Sequence, residues 1–243
     1  MKIALFSDIH GNHVALEAVL ADIERQQPDH LICLGDVATL GPQPKEVFAT
    51  LQKLDAVFIQ GNHDAAMLAP EHAEKYNIEA MLHGDLQWTI NQSTTNDLEF
   101  VRSFLLNYTI QLGNEHEMLC FHGSPHCNTG LILATTPMDE LDRLLGKDQP
   151  TIMVGGHSHV QMLRQHHGNL VINAGSVGSS FTEPPYGKGR PQLNPWAEYA
   201  LVEYENGRIT VNLQRIPFDT QKFHQITRAS KLPIKEWWLS QYS

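Results

Sequence analysis

Little in this chain marks it for an oxidising compartment, a membrane or a polyanion. Its 243 residues include three cysteines, Cys33, Cys120 and Cys127, and no two of them form a CxxC pair. An odd count without a framework fits a reducing compartment and excludes a disulfide scaffold. No apolar run approaches the roughly 20 residues of a membrane span. The apolar start turns polar after Phe6, too soon for a signal peptide. Basic residues are few: 17 Lys and Arg stand against 27 Asp and Glu, a formal net charge of -10 with histidines neutral. That balance repels polyanions in bulk and argues against general DNA or RNA binding. The chain therefore reads as cytoplasmic, without membrane or nucleic-acid partners. Internal repeats and low-complexity tails are also missing.

What is present suits one layered domain spanning residues 1–243. Hydrophobic residues make up 42% of the chain, enough for a large core that needs no disulfide. Ile3, Ala4, Leu5 and Phe6 read as a buried strand. Leu16, Val19, Leu20 and Ile23 follow at helical spacing. Residues 31–34 form a second apolar run, 44–54 a second helix with Pro44 in its first turn, and 56–59 a third run. Strand, helix, strand, helix, strand at this spacing predicts βαβ units and a parallel sheet.

Residues 65–107 break the rhythm and read as a helical insertion. Residues 71–88 are expected to be helical. Leu98, Val101 and Leu105 keep helical spacing behind an expected capping box of Asn96 and Glu99. Strands return at 109–112 and 118–121 across a Gly113–Asn114 turn, then at 152–154, 160–164 and 170–172. A hairpin at Asn206–Gly207 joins 198–205 to 208–216. Residues 182–195, with Pro184, Pro185, Pro191, Pro195, Gly187 and Gly189, read as an irregular loop near the site end of the fold.

Chemistry gathers just after the apolar runs. Asp8 and His10 follow the first, Asp36 the second, Asn62 the third, His122 the run at 118–121, and His157 with His159 the run at 152–154. In a parallel layered sheet such strand ends converge on one crevice at the carboxyl edge. One Asp or His after a strand is ordinarily a loop polar group or a cap; five strands ending this way form a pattern. Carboxylate, amide oxygen and imidazole without thiolate suit divalent Mn, Fe, Zn, Ni or Co. Seven ligands exceed one tetrahedral site and suffice for two metals if a carboxylate bridges. His13, His30, His72, His83, His166, His167 and His224 fall outside the pattern as surface or helix residues. His126, close to His122, is read as off the site.

In this order, D-x-H, G-D, G-N-H-D, a lone His and G-H-x-H closely resemble the calcineurin-like metallophosphoesterase superfamily, from Asp8 to about Gly178. The stretch from Asn173 to Gly178 resembles the N-A-G-S segment of its small bacterial and archaeal phosphodiesterase-like branch. The resemblance implies a four-layer α/β/β/α sandwich with two mixed sheets. It implies that Asp8, His10 and His159 hold one divalent metal, that Asn62, His122 and His157 hold another, and that Asp36 bridges them. His63 would stand beside the metals as general acid with Asp64 orienting it; Asp64 has a second reading as a helix N-cap.

The expected reaction is hydrolysis of a phosphodiester or nucleotide polyphosphate by in-line attack of a hydroxide held between the metals. The alternatives are a phosphomonoesterase acting on a small molecule and a catalytically silent scaffold on the same fold. After Gly35 and Asp36 come Val37, Ala38, Thr39, Leu40 and Gly41, so the phosphate-gripping arginine of the protein phosphatase branch is missing. Arg190 is a further residue within reach of a phosphate, with a solvated loop charge as its plainer reading. Trp237 and Trp238 are expected to pack on the body or on a partner subunit of a homo-oligomer.

Overall fold

The computed structural model describes residues 1–114, 116–147, 150–183 and 191–242. The chain runs β1 (Lys2–Phe6), α1 (His13–Gln26), β2 (His30–Cys33), α2 (Pro44–Leu51), β3 (Val57–Phe58), α3 (Asn62–Leu68), α4 (His83–Gln92) and α5 (Thr95–Arg102). It continues through β4 (Asn107–Leu112), β5 (His116–Phe121), α6 (Met138–Leu145), β6 (Ile152–Gly155), β7 (Met162–His166) and β8 (Asn169–Asn173). It closes with β9 (Trp196–Glu205), β10 (Arg208–Pro217), α7 (Thr220–Ala229) and α8 (Lys235–Leu239).

Two mixed five-stranded sheets result, ordered β10-β9-β1-β2-β3 and β4-β5-β6-β8-β7. β1, β2 and β3 are parallel, with Leu5 beside Ile32 and Ile32 beside Val57. β5, β6 and β8 are parallel in the other sheet. Strand alternation decides what each face touches. Ile3 and Leu5 of β1 and Ile32 of β2 pack between the sheets against Ile110, Met118, Ile152 and Ile172. Their sequence neighbours Ala4, Phe6 and Cys33 face the opposite way, onto Leu16, Val19, Phe48 and Val101 of the helices. Phe121, Met153 and Val171 pack beneath Leu141 and Leu145 of α6. The order is therefore helices, sheet, sheet, helix: the four-layer α/β/β/α sandwich.

Several local expectations shift. Residues 71–88 are not one helix: short 3-10 turns at Pro70–Tyr76 and Ala80–Leu82 precede α4, separated by Asn77 in the left-handed region at φ 57°. The capping box at α5 is Thr94 with Asp97, not Asn96 with Glu99. Thr94 Oγ1 accepts from the Asp97 amide at 3.2 Å, and Asp97 Oδ2 accepts from the Thr94 amide at 2.8 Å. A strand expected over 160–164 lies two residues later as β7, because it pairs with β8 across a turn at His167 and Gly168. His166 is accordingly a buried strand residue. No helix among the described residues is long and apolar enough to cross a membrane.

Candidate metal centre

Parallel pairing brings the carboxyl ends of β1, β2 and β3 in one sheet beside those of β5 and β6 in the other. Backbone bonds lock these exits together. The Asp8 amide donates to Gly35 O at 2.9 Å, His10 to Asp36 O at 3.0 Å, and Gly156 to His122 O at 2.9 Å. The two sheets are tied directly where the His157 amide donates to Asp8 Oδ2 at 3.0 Å. Asp8, His10, Asp36, His157 and His159 all have positive φ, between 46° and 65°. That region is sparsely populated by residues with a Cβ and costs of order 1–3 kcal/mol each. It is the conformation that turns these side chains back over the strand ends.

Two groups form there. The ligand atoms of Asp8, His10 and His159 lie within 4.8 Å of one another, as do those of Asp36, His122 and His157. Asp36 Oδ2 stands between the groups, 3.3 Å from His122 Nε2 and 3.9 Å from His10 Nε2. Asn62 joins the second group, its Oδ1 3.1 Å from His122 Nε2. Its Nδ2 donates to Tyr76 O at 2.9 Å, which fixes which end of the amide faces inward.

The donors fit divalent metal ions on two further observations. His122 Nδ1 donates to Leu34 O at 2.7 Å and His159 Nδ1 to Ser179 O at 2.8 Å, leaving both Nε2 atoms aimed at the carboxylates. A carbonyl behind the imidazole is the usual orienting partner of a metal-bound histidine. Moreover, Asp8 Oδ1 is buried with no hydrogen-bond partner, and the Nε2 atoms of His10 and His159 face each other at 3.0 Å.

The electrostatics say that this cluster needs positive charge. Burial alone would raise the Asp8 and Asp36 pKa values, yet the facing imidazoles of His159 and His122 hold both carboxyls far below the carboxylate range. Burial works against charging His122, but Asp36 outweighs it and pushes the ring up to about 10; His159 is raised by Asp8 against the same penalty. Burial, then repulsion from His159, lowers His10 to about 3; burial, then His122, lowers His157 to about 3. The two carboxylates thus draw positive charge onto the imidazoles facing them, compensation that bound cations would supply instead, with proton release.

His63 and Asp64, adjacent on the first turn of α3, part ways. The His63 ring lines the cavity above the two groups, edge-on to His10 with centroids 5.1 Å apart. Burial, partly offset by Asp36, lowers its pKa. Its Nδ1 has no hydrogen-bond partner, so Asp64 does not orient the ring as expected. Successive helical residues point about 100° apart. Asp64 turns instead to the backbone. Oδ2 accepts from the amides of Asp36 at 2.7 Å and Gly61 at 2.9 Å, and Oδ1 from Val37 at 3.0 Å. Nor is Asp64 the N-cap: that position is Gly61, and Asp64 stands at N3, capping the Gly61 amide from inside the first turn. Burial, then the nearby Asp36 charge, raises its pKa to about 7 against those three bonds.

Other residues support the centre without having been singled out for it. Ser176 Oγ donates to Asp8 O at 2.7 Å, and Asn173 Nδ2 donates to Gly156 O at 2.5 Å, so the Asn173-to-Gly178 stretch braces both strand exits. Phe181 stacks on His159, centroids 4.6 Å apart at 14°. Trp238 is buried on the body of the chain among Leu40, Leu193 and Leu232, with Trp237 packed against it. Over the centre opens a cavity of about 360 Å³ whose walls include Leu40, Leu82, Phe181, Trp237 and Trp238. His126 is exposed and does not line it. Residues 184–190, including Arg190, lie outside the described residues. A third group, Asp142 with His166 and His167, sits at the opposite, amino-terminal edge of β8.

Comparison with known proteins identifies the family and finds the same fold elsewhere. A family model described as the calcineurin-like phosphoesterase superfamily domain matches residues 1–206. The chain is 26% identical over 242 residues to an uncharacterised protein of Methanocaldococcus jannaschii, covering 97% of this chain and 94% of that one. Among solved structures, a metallophosphoesterase from Sphaerobacter thermophilus superposes with a TM-score of 0.73 at 23% identity, covering 96% and 95% of the two chains. A hypothetical protein from Pyrococcus horikoshii OT3 superposes with a TM-score of 0.79 at 20% identity, covering 98% and 96%.

Proposed function

Since the chain belongs to the calcineurin-like phosphoesterase superfamily, we propose that it is a two-metal hydrolase of phosphodiesters, with Asp8, His10 and His159 holding one divalent ion, Asn62, His122 and His157 the other, and Asp36 shared between them. The observation that carries this reading is the position of Asp36 Oδ2, within 4 Å of an imidazole of each group. Bound divalent ions would neutralise the phosphoryl oxygens and lower the pKa of a water.

The chain's own residues would do the rest. The left-handed backbone at five of the seven ligands holds the donors converged before any substrate arrives. Leu34 O and Ser179 O keep His122 and His159 in the tautomer that presents Nε2 to the centre. His63 stands at the mouth as the general acid. Buried, its ring is held neutral; a phosphate anion beside it would favour the protonated form and set a proton against the leaving oxygen. Asp64 acts as a positioning residue: by clasping the amides of Asp36 and Val37 it sets where the shared carboxylate points.

A diester is favoured over a monoester by the cavity wall. Among the described residues lining it there is no Lys or Arg. A singly charged diester demands less compensation there than a doubly charged monoester. The test is turnover of bis(p-nitrophenyl) phosphate and p-nitrophenyl phosphate across Mn, Fe, Zn, Ni and Co. Metal-dependent turnover with higher kcat/KM on the diester supports the reading. Turnover of neither ester with any ion would refute it.

A further inference from the structure

The cavity over the metal centre is lopsided. Its floor is polar, but its wall is apolar: Leu40, Met81, Leu82, Phe181 and the two tryptophans of α8. A phosphate gains nothing from such a wall, and the absence of Lys and Arg among its described residues offers nothing to a second phosphate. Glu79 on the lining adds negative charge there.

The C-terminal helix is built to present one of its rings. Trp238 is the anchor: it is buried, and its Nε1 donates to the buried carboxylate of Asp85 at 3.0 Å. The same carboxylate accepts from the Ile234 amide at 3.2 Å, fixing the start of α8. Trp237 crosses Trp238 nearly at right angles, centroids 4.6 Å apart at 78°, so the two indoles do not stack on each other. Trp237 is only half-buried and lines the cavity. Phe181, across the wall, already has a face against His159.

We infer that Trp237 forms a subsite for a planar, uncharged ring carried by the phosphate ester, a nucleobase or aryl group. The inference rests on the phosphodiesterase reading for what occupies the floor. The rest of the recognition comes from indole-to-ring packing, which is tolerant of ring identity because every such ring has a π-face. The subsite selects an organic ring beside one phosphate and disfavours an extended polyphosphate.

Calorimetry on the manganese-loaded chain tests this without turnover. Phenylphosphonate and methylphosphonate carry the same charged head and differ by the ring. The wild type is expected to bind the phenyl compound about tenfold more tightly. In Trp237→Leu, which keeps apolar bulk, and in Trp237→Ala, the ratio falls below about threefold while methylphosphonate binding is unchanged; Trp237→Phe retains most of it. Equal affinities in the wild type, no binding of either compound, or an undiminished ratio in both Trp237→Leu and Trp237→Ala would overturn the subsite. Loss of all ester turnover alongside an intact ring preference would strike the phosphodiesterase reading alone.

Discussion

Asp36 and Asp64 hold each other's segments in place: the Asp36 amide donates to Asp64 Oδ2 at 2.7 Å, while Asp36 Oδ1 accepts the amide of His63, the residue before Asp64, at 2.9 Å. The loop after β2 and the first turn of α3 are thereby one rigid unit. The remaining oxygen of Asp36 is left to face both histidine groups. This reciprocal clasp converts two loop exits into a defined position for the carboxylate that lies between the two groups.

Replacing Asp64 by Asn should break the clasp. An amide turns a donor toward backbone N–H groups that already donate, leaving at least one buried donor unpaired, at a cost of about 1–3 kcal/mol. Urea denaturation is expected to show that loss, and metal titration weaker binding. A variant as stable as the wild type with unchanged metal affinity would contradict the positioning role.

His63→Ala should behave in the opposite way. His63 belongs to neither group of ligand atoms, so metal content stays intact. Turnover of an alkyl diester falls by about 10²–10⁴-fold, the usual contribution of a positioned acid. The loss is smaller on p-nitrophenyl esters, whose leaving group needs little protonation. Equal losses on both ester types would argue against proton donation.

Gly61→Ala tests the close packing at the same place. A Cβ on Gly61 would overlap Asp36 Oδ1 and approach the Asp36 amide at 2.6 Å. Neither can retreat, because the first is bonded to the His63 amide and the second to Asp64. The variant should lose metal affinity and melt at lower temperature than the wild type. Unchanged melting and metal content would mean that the loop shifts freely.

Docking of the C-terminal helix should depend on pH through Asp85. Burial raises this carboxyl to about 6 from an ordinary 3.8, against the bonds from Trp238 and Ile234. Between those values the unfolded chain gives up its proton first as pH rises. The stability contributed by Asp85 therefore falls from pH 4 to pH 6 and is flat on either side. Comparing urea melts of the wild type and Asp85→Asn at pH 4 and pH 7 isolates this group. The difference between the two proteins should change across that window, and a constant difference would contradict the assignment.

The strand ends were legible in the sequence because each apolar run stops at a polar residue, and parallel pairing leaves few places for those residues to go. Asp8, Asp36, His122 and His159 meet for that reason. The helix-facing and sheet-facing residues of β1 could also be read from alternation alone. Asp64 was harder. Adjacent to His63 in sequence, it invited pairing with that ring, and only the turn of α3 reveals that the two side chains diverge. Trp237 was harder still, since nothing local says that a helix near residue 237 returns to a cavity whose other walls run from His10 to Pro191. The break at Asn77 depends on one left-handed residue that periodicity does not register.

Metal analysis of Asp36→Ala beside the wild type tests the shared carboxylate most directly. After equilibration with manganese and removal of free ion, the wild type should carry two ions per chain, and the variant should lose affinity at both positions while remaining folded by circular dichroism. A folded variant that keeps one ion at wild-type affinity would show that Asp36 serves one group only, and one that keeps two would remove it from the centre.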